Sequence, residues 1–174
     1  GGKNVGIKNS ETNTAIFLSA PAMMSWGIKD YEGNQRYEME MQFPSAQYPK
    51  PDDAAGNMYL ENMMAFENKI KADAAKFSRE WFNKASMSPD VVDALFSRIV
   101  KVSTDRDTGE PDGKWPPTMK LKVPRRDGVW ETKVSDKSGK IYDINNKESG
   151  DNLEDLFVKN TRMRAIIQCV GLWV

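Results

Sequence analysis

Hydrophobic and polar positions alternate with a period of two near the start of the chain. The clearest case is residues 36–43, where charged or amide side chains separate Tyr37, Met39, Met41 and Phe43. A period of two indicates a strand with one buried face and one solvated face. Shorter apolar runs at residues 15–18 and 23–28 predict two further strands before it.

The hydrophobic period changes to three or four positions over residues 57–84. The apolar positions of this segment are Met63, Phe66, Ile70, Ala74, Phe77 and Trp81. The spacing predicts an amphipathic helix of about seven turns, with Asn57 as its N-cap. A second, shorter helix is predicted with Ser88 as N-cap and Pro89 at the first position. The β-branched residues 99–102 leave open whether that helix runs into a strand.

Turn-rich segments divide the rest of the chain. The aspartates of residues 105–112 predict a plain Asx turn rather than a calcium loop, because the EF-hand spacing is not met. Turns ending in Gly128 and Gly139 separate residues 119–123, 129–134 and 140–144, which predicts a three-stranded meander. Residues 153–158 fit a short helix or an extended segment. Residues 162–174 predict a final strand.

This order of elements predicts an α+β fold that is mainly β, with one long amphipathic helix inserted between strands. An OB-like Greek-key barrel fits the order. We expect a flexible N-terminal segment over residues 1–14 and a single domain over residues 15–174. Because the chain stops inside an apolar run, we also expect truncation at the C-terminus.

The composition argues against most catalytic chemistry. The chain has no histidine and one cysteine, Cys169. This excludes the commonest general base and a cysteine-based zinc cluster. Carboxylate chemistry on Mg²⁺ stays open, since Glu38 and Glu40 share one strand face, but no phosphate-cradling loop accompanies them. We therefore predict a binding protein that is not an enzyme and needs no cofactor or metal.

Charge is unevenly distributed although the net charge is zero. Residues 114–140 contain eight Lys or Arg against three Asp or Glu, and residues 30–54 contain two against six. Cations follow a phosphate backbone, and aromatic rings stack on unpaired bases for about 1–3 kcal/mol per base. The predicted DNA-binding residues are Lys114, Trp115, Lys120, Lys122, Arg125, Arg126, Trp130, Lys133, Lys140 and Tyr142, extended by Arg162 and Arg164 on the last strand. The alternative is that the rings are core or edge cover and the lysines protect an edge strand.

Three segments also carry a family resemblance: residues 75–82 (AKFSREWF), 116–123 (PPTMKLKV) and 166–174 (IIQCVGLWV). Together with the element order they resemble the phage-type single-stranded DNA-binding proteins of nucleocytoplasmic large DNA viruses. The resemblance implies an OB-fold core and sequence-tolerant coating of displaced strands during viral DNA replication, repair or recombination. In that family the final strand continues into a hairpin and often an acidic tail, and both are missing from this sequence.

Location and partners follow from the same observations. The first residues carry no secretory signal, and the longest apolar run, residues 165–174, is too short to cross a bilayer. We expect an intracellular protein, in the host nucleus or at a cytoplasmic viral replication site, with no membrane partner. Single-stranded DNA is the expected partner, with replication proteins and further copies of the chain as candidates. The alternative is a protein–protein interaction or viral structural module that does not bind nucleic acid.

Overall fold

The computed structural model describes residues 4–31, 33, 36–45 and 53–173. They form an α+β structure made mainly of strands, as the sequence predicts. Their contacts divide the chain into two compact units, and the single domain expected over residues 15–174 stays a prediction. Unit 1 contains the described residues within 1–21, 51–101 and 164–174, and unit 2 those within 22–50 and 102–163.

The described residues form thirteen strands and four helices. In chain order they are β1 (Asn4–Gly6), β2 (Ile16–Ser19), β3 (Met23–Tyr31), β4 (Arg36–Gln42), α1 (Ala54–Lys76), α2 (Ser78–Phe82), α3 (Pro89–Leu95), β5 (Val100–Lys101), β6 (Thr118–Val123), β7 (Arg125–Arg126), β8 (Val129–Trp130), β9 (Val134–Ser135), β10 (Ile141–Tyr142), α4 (Leu153–Leu156), β11 (Thr161–Met163), β12 (Ile166–Cys169) and β13 (Gly171–Trp173).

Four antiparallel strands of the largest sheet lie in unit 2, in the order β11-β3-β4-β6. β4 confirms the predicted alternation, because Met39 and Met41 are buried while the residues between them are partly exposed. Met39 lies opposite Leu121, and Glu38 lies opposite Lys122. One face of the sheet is therefore apolar and the other polar.

The apolar face of this sheet packs into the core of unit 2. That core consists of the buried Met39, Val123, Trp130, Val134 and Leu153. Gly27, at φ 87°, lies where β3 approaches the chain after α4, and a Cβ there would come within 3.0 Å of the Phe157 carbonyl oxygen. Ile28 N donates to that same oxygen at 3.2 Å. Glycine at this position lets the segment after α4 close the core against the sheet.

The predicted three-stranded meander is wrong, although its turns are right. β6 pairs with β4, while β7 with β8 and β9 with β10 form two separate hairpins. Asp127 at φ 51° and Gly128 at φ 81° provide the left-handed residue pair that a two-residue hairpin requires. Local alternation shows that residues 119–123 have two faces, but it does not show which strand pairs with them.

Both predicted helices are present, but their first and last residues differ from the prediction. α1 begins before Asn57, with Asp53 as N-cap, and the helix breaks at Phe77 before α2. Its buried residues recur every three or four positions: Gly56, Tyr59, Met63, Glu67, Ile70 and Ala74. The predicted cap of α3 is confirmed, since Val91 N donates to the Ser88 hydroxyl at 3.3 Å and Pro89 opens the helix. β5 follows, which settles the boundary left open after residue 99.

Glu67 is a buried carboxylate that joins α1 to the segment after α3 within unit 1. Its side chain accepts hydrogen bonds from Ile99 N at 2.7 Å and Val100 N at 3.3 Å. Its second oxygen lies 2.9 Å from Lys71 Nζ, which also donates to Asp93 at 2.8 Å. The Lys71 hydrogen bond holds the pKa of Asp93 below its usual range. A carboxylate on the buried stripe of the helix is therefore satisfied on both oxygens.

The two ends of the described chain pair with each other in unit 1. β1 is antiparallel to β13, and Lys8 forms a bridge with Ala15. The flexibility expected over residues 1–14 stays a prediction. The single final strand predicted over residues 162–174 is divided into β11, β12 and β13, which pair with β3, β2 and β1.

The ladders of the described residues do not close into a barrel. Within the same residues, no helix has both the length and the apolar character that a membrane span requires.

Candidate nucleic-acid interface

The polar face of the unit 2 sheet brings together side chains from four strands. We call it the sheet face and define it as Arg162 on β11, Lys29 and Tyr31 on β3, Arg36, Glu38 and Glu40 on β4, and Lys120 and Lys122 on β6. The register places Lys29 opposite Glu38 and Tyr31 opposite Arg36. By this definition the sheet face has five cationic side chains against two acidic ones.

The basic stretch and the acidic patch of the sequence meet on this face. Lys120 Nζ lies 2.8 Å from Glu38 Oε2, and the hydrogen bond raises the pKa of Lys120. Lys122 lies opposite Glu38 in the register, and Lys120 opposite Glu40. Part of the positive charge of β6 is thus neutralised by cross-strand carboxylates. The excess of cations on the face comes from the neighbouring strands as well as from β6.

Two aromatic rings of β3 lie beside cations. The Tyr31 side chain is 48% exposed, and Lys120 Nζ is 5.6 Å from its ring centroid. Trp26 lies between the buried Ser25 and Gly27 and is partly exposed, with Lys159 Nζ 4.6 Å from its ring. An exposed ring next to an ammonium group offers a base both a stacking partner and a cation for its phosphate.

Sequence reasoning missed Lys29, Tyr31 and Arg36 on this face. The available signal is the short separation between the apolar run of residues 23–28 and the alternating residues 36–43. Antiparallel pairing of these two strands puts Lys29 and Tyr31 on the face of Glu38. Of the predicted site residues, the structure places Lys120, Lys122 and Arg162 on the sheet face.

Trp130 was a predicted stacking residue, and the structure places it in the core instead, 8% exposed. Its ring contacts Tyr37 edge-on, with centroids 4.5 Å apart. Arg125 covers it, with the guanidinium carbon 4.8 Å from the ring, and donates to Tyr37 Oη at 2.9 Å. An indole ring enclosed in this way is not accessible for stacking with a nucleic-acid base. Arg125 itself is exposed.

The remaining predicted residues lie outside the sheet face. Trp115 is 60% exposed, with Lys114 Nζ 6.0 Å from its ring, in the connection before β6. Tyr142 packs against the unit 2 core, with Lys140 Nζ 4.7 Å from its ring.

Three further cations complete the predicted set. Arg126 Nε lies 3.4 Å from Glu131, and Lys133 is exposed between β8 and β9. Arg164 belongs to unit 1 and is not part of this sheet. The structure thus brings together only a quarter of the predicted set on the sheet face: Lys120, Lys122 and Arg162.

The aspartate-rich connection is the predicted Asx turn. Asp107 N and Thr108 N both donate to Asp105 Oδ1 at 2.9 Å. The Thr108 backbone hydrogen bond is the main cause of the lowered pKa of Asp105. No cluster of three or more His, Cys, Asp or Glu suited to a metal ion occurs among the residues that the structure describes.

The chain matches no family model, no curated protein and no solved structure.

Proposed function

We propose that the chain is a sequence-tolerant single-stranded DNA-binding protein that holds DNA on the sheet face of unit 2. The observation that carries this proposal is the exposed Tyr31 ring, with Lys29 on the same strand, Arg36 opposite it on β4 and Lys120 of β6 beside it. Bases stack on the ring and the cations contact the phosphates. In this proposal the protein catalyses no reaction and uses no cofactor.

Sequence tolerance follows from the kind of contact. Every base has a π-face, so stacking on Tyr31 does not select among bases. The cations contact phosphates, which carry no sequence information. A duplex keeps its bases stacked inside and cannot use the ring, so the sheet face favours single strands.

The carboxylates of Glu38 and Glu40 lower the affinity of the sheet face for phosphates, because they pair with its cations. Lys120 is hydrogen-bonded to Glu38, so a phosphate competes with that carboxylate for the ammonium group. Lys29, Arg36 and Arg162 are exposed on the neighbouring strands. Binding through several cations makes the affinity fall as the salt concentration rises.

Tyr31→Ala tests the stacking role directly. We expect roughly tenfold weaker binding to oligo-dT, because stacking on an aromatic ring is worth about 1–3 kcal/mol per base. Tyr31→Phe keeps the ring and should bind as the wild type does. Fluorescence anisotropy with labelled oligo-dT measures both, after circular dichroism has shown that the variants fold.

Phe17→Ala is the matched control, since Phe17 is an aromatic residue of unit 1 that is 62% exposed. It should leave the affinity unchanged. Equal affinity of Tyr31→Ala and the wild type would contradict stacking on the sheet face.

The same proposal includes the type of fold and the biological role. The predominance of strands and the long helix between β4 and β5 support an OB-like Greek-key arrangement. The resemblance of residues 75–82, 116–123 and 166–174 supports coating of displaced strands during viral DNA replication, repair or recombination, with replication proteins and other copies of the chain as partners.

A protein–protein interaction module is the second candidate. The observation that favours it is the exposure of Phe17 (62%) and Ile166 (79%) on the paired strands β2 and β12. Exposed apolar side chains on a short ladder are typical of a docking surface. Under this candidate oligo-dT does not bind, and Phe17→Ser with Ile166→Ser changes the oligomeric state measured by light scattering.

A further inference from the structure

A pocket of about 280 Å³ lies in unit 2 between the β7–β8 hairpin and the segment before α4. Arg125 and Trp130 line it from the hairpin, and Asn146, Lys147 and Asn152 line it from the segment. Pockets for drug-sized ligands run from about 300 to 1,000 Å³. The pocket therefore lies close to the lower limit of that range.

One oxygen of each of three lining side chains accepts a hydrogen bond from within the segment. Asn146 Oδ1 accepts from Glu148 N at 3.0 Å, and Asn152 Oδ1 accepts from Glu154 N at 3.2 Å. Asp151 Oδ2, also at the pocket, accepts from Asp143 N at 3.0 Å. The amide NH₂ groups of the two asparagines are not part of these bonds. The segment thus offers a ligand two amide donors beside the Asp151 carboxylate.

Arg125 and Lys147 add two cations to the lining of the pocket. Arg125 is held in place because it donates to the Gly128 carbonyl at 3.2 Å and to Tyr37 Oη at 2.9 Å, while its guanidinium lies over Trp130. Its other N–H groups remain for a ligand, since a guanidinium has five. Lys147 is exposed. With Asp151 opposing these two cations, the lining has a net charge of plus one.

We propose that this pocket binds a phosphate monoester group, taken from a nucleotide, from the 5′ end of a DNA strand or from inorganic phosphate. A fixed guanidinium, a lysine and two amide donors match the several acceptor oxygens of a phosphate dianion. The proposal does not depend on the sheet face, because it uses a different set of side chains.

The test is a titration of ¹⁵N-labelled protein in chloride buffer with inorganic phosphate, dTMP and thymidine. Phosphate and dTMP should shift the side-chain NH₂ signals of Asn146 and Asn152, and thymidine should not. Tighter binding of dTMP than of phosphate would assign the site to nucleotides, and equal binding would assign it to the phosphate alone. Shifts as large with thymidine as with dTMP, or none with any ligand, would overturn the proposal.

Lys147→Met should weaken dTMP binding about tenfold, since a hydrogen bond to a charged group contributes about 1.5–3 kcal/mol. Lys137→Met, on an exposed lysine outside the pocket, is the matched control and should leave it unchanged. An unchanged affinity in the folded Lys147→Met protein would count against the pocket.

Oligo-dT with a 5′-hydroxyl separates this site from the sheet face. Its affinity should be the same for Lys147→Met and the wild type. If that oligonucleotide fails to bind while dTMP still shifts the two asparagines, the proposed function fails and the pocket stands.

Discussion

Glu67→Ala is expected to lower the free energy of unfolding by roughly 3–5 kcal/mol, the usual cost of removing one partner of a buried charged pair. Glu67 is 6% exposed and accepts from the backbone N–H groups of Ile99 and Val100. Truncation leaves both donors without that carboxylate and removes one of the two carboxylates bonded to Lys71. Lys71 is itself only 16% exposed, so solvent replaces the lost contact poorly.

Urea unfolding followed by circular dichroism measures this loss. Glu61→Ala, at an exposed position of the same helix, is the control and should change stability by less than about 0.5 kcal/mol. Glu67→Gln keeps an oxygen for the two N–H groups but loses the charge. Its free energy of unfolding should therefore lie between those of Glu67→Ala and Glu61→Ala. A loss below about 1 kcal/mol for Glu67→Ala would show that the carboxylate does not hold the α3–β5 segment to α1.

Lys29→Gln combined with Arg162→Gln is expected to weaken oligo-dT binding roughly a hundredfold at low salt. Each substitution removes a contact between a cation and a phosphate, which is worth about 1.5–3 kcal/mol. Because single strands release counterions with a slope of about 0.7 per contact, the salt dependence of log K should become shallower by about 1.4. Anisotropy titrations across a salt series measure both quantities.

Arg106→Gln with Lys137→Gln removes the same charge from exposed positions outside the strands of unit 2 and serves as the control. It should leave the slope nearly unchanged. Glu38→Gln should act in the opposite direction, because it releases Lys120 from its carboxylate. An equal loss in the sheet-face and control pairs would mean that net charge alone governs binding.

Elements whose pattern is local could be predicted from the sequence. The alternation of β4, the Ser88 cap of α3 and the Asp127–Gly128 turn all depend on neighbours in the chain, and all are present. The pairing of β6 with β4 depends on residues far apart in sequence, and the predicted meander missed it. The break at Phe77 likewise interrupts a hydrophobic period that continues into α2.

The same distinction applies to the candidate site. Lys120 and Lys122 could be placed on one face because they share a strand, whereas the membership of Lys29 depends on its cross-strand partner. Aromatic residues in a basic stretch look alike in sequence whether buried or exposed. Trp130 is buried in the unit 2 core with Arg125 over its ring, whereas Trp115 is exposed in the connection before β6. Burial of a ring follows from tertiary packing, which composition does not show.

Binding of single-stranded DNA by the sheet face can be measured with labelled oligo-dT and a duplex of equal length. Each is titrated with the protein at two salt concentrations, with anisotropy as the readout. We expect tight binding of the single strand, weaker binding of the duplex and a loss of affinity at the higher salt. If a sample shown to be folded binds neither, the sheet face is not a DNA-binding surface, and the protein–protein interaction module is favoured.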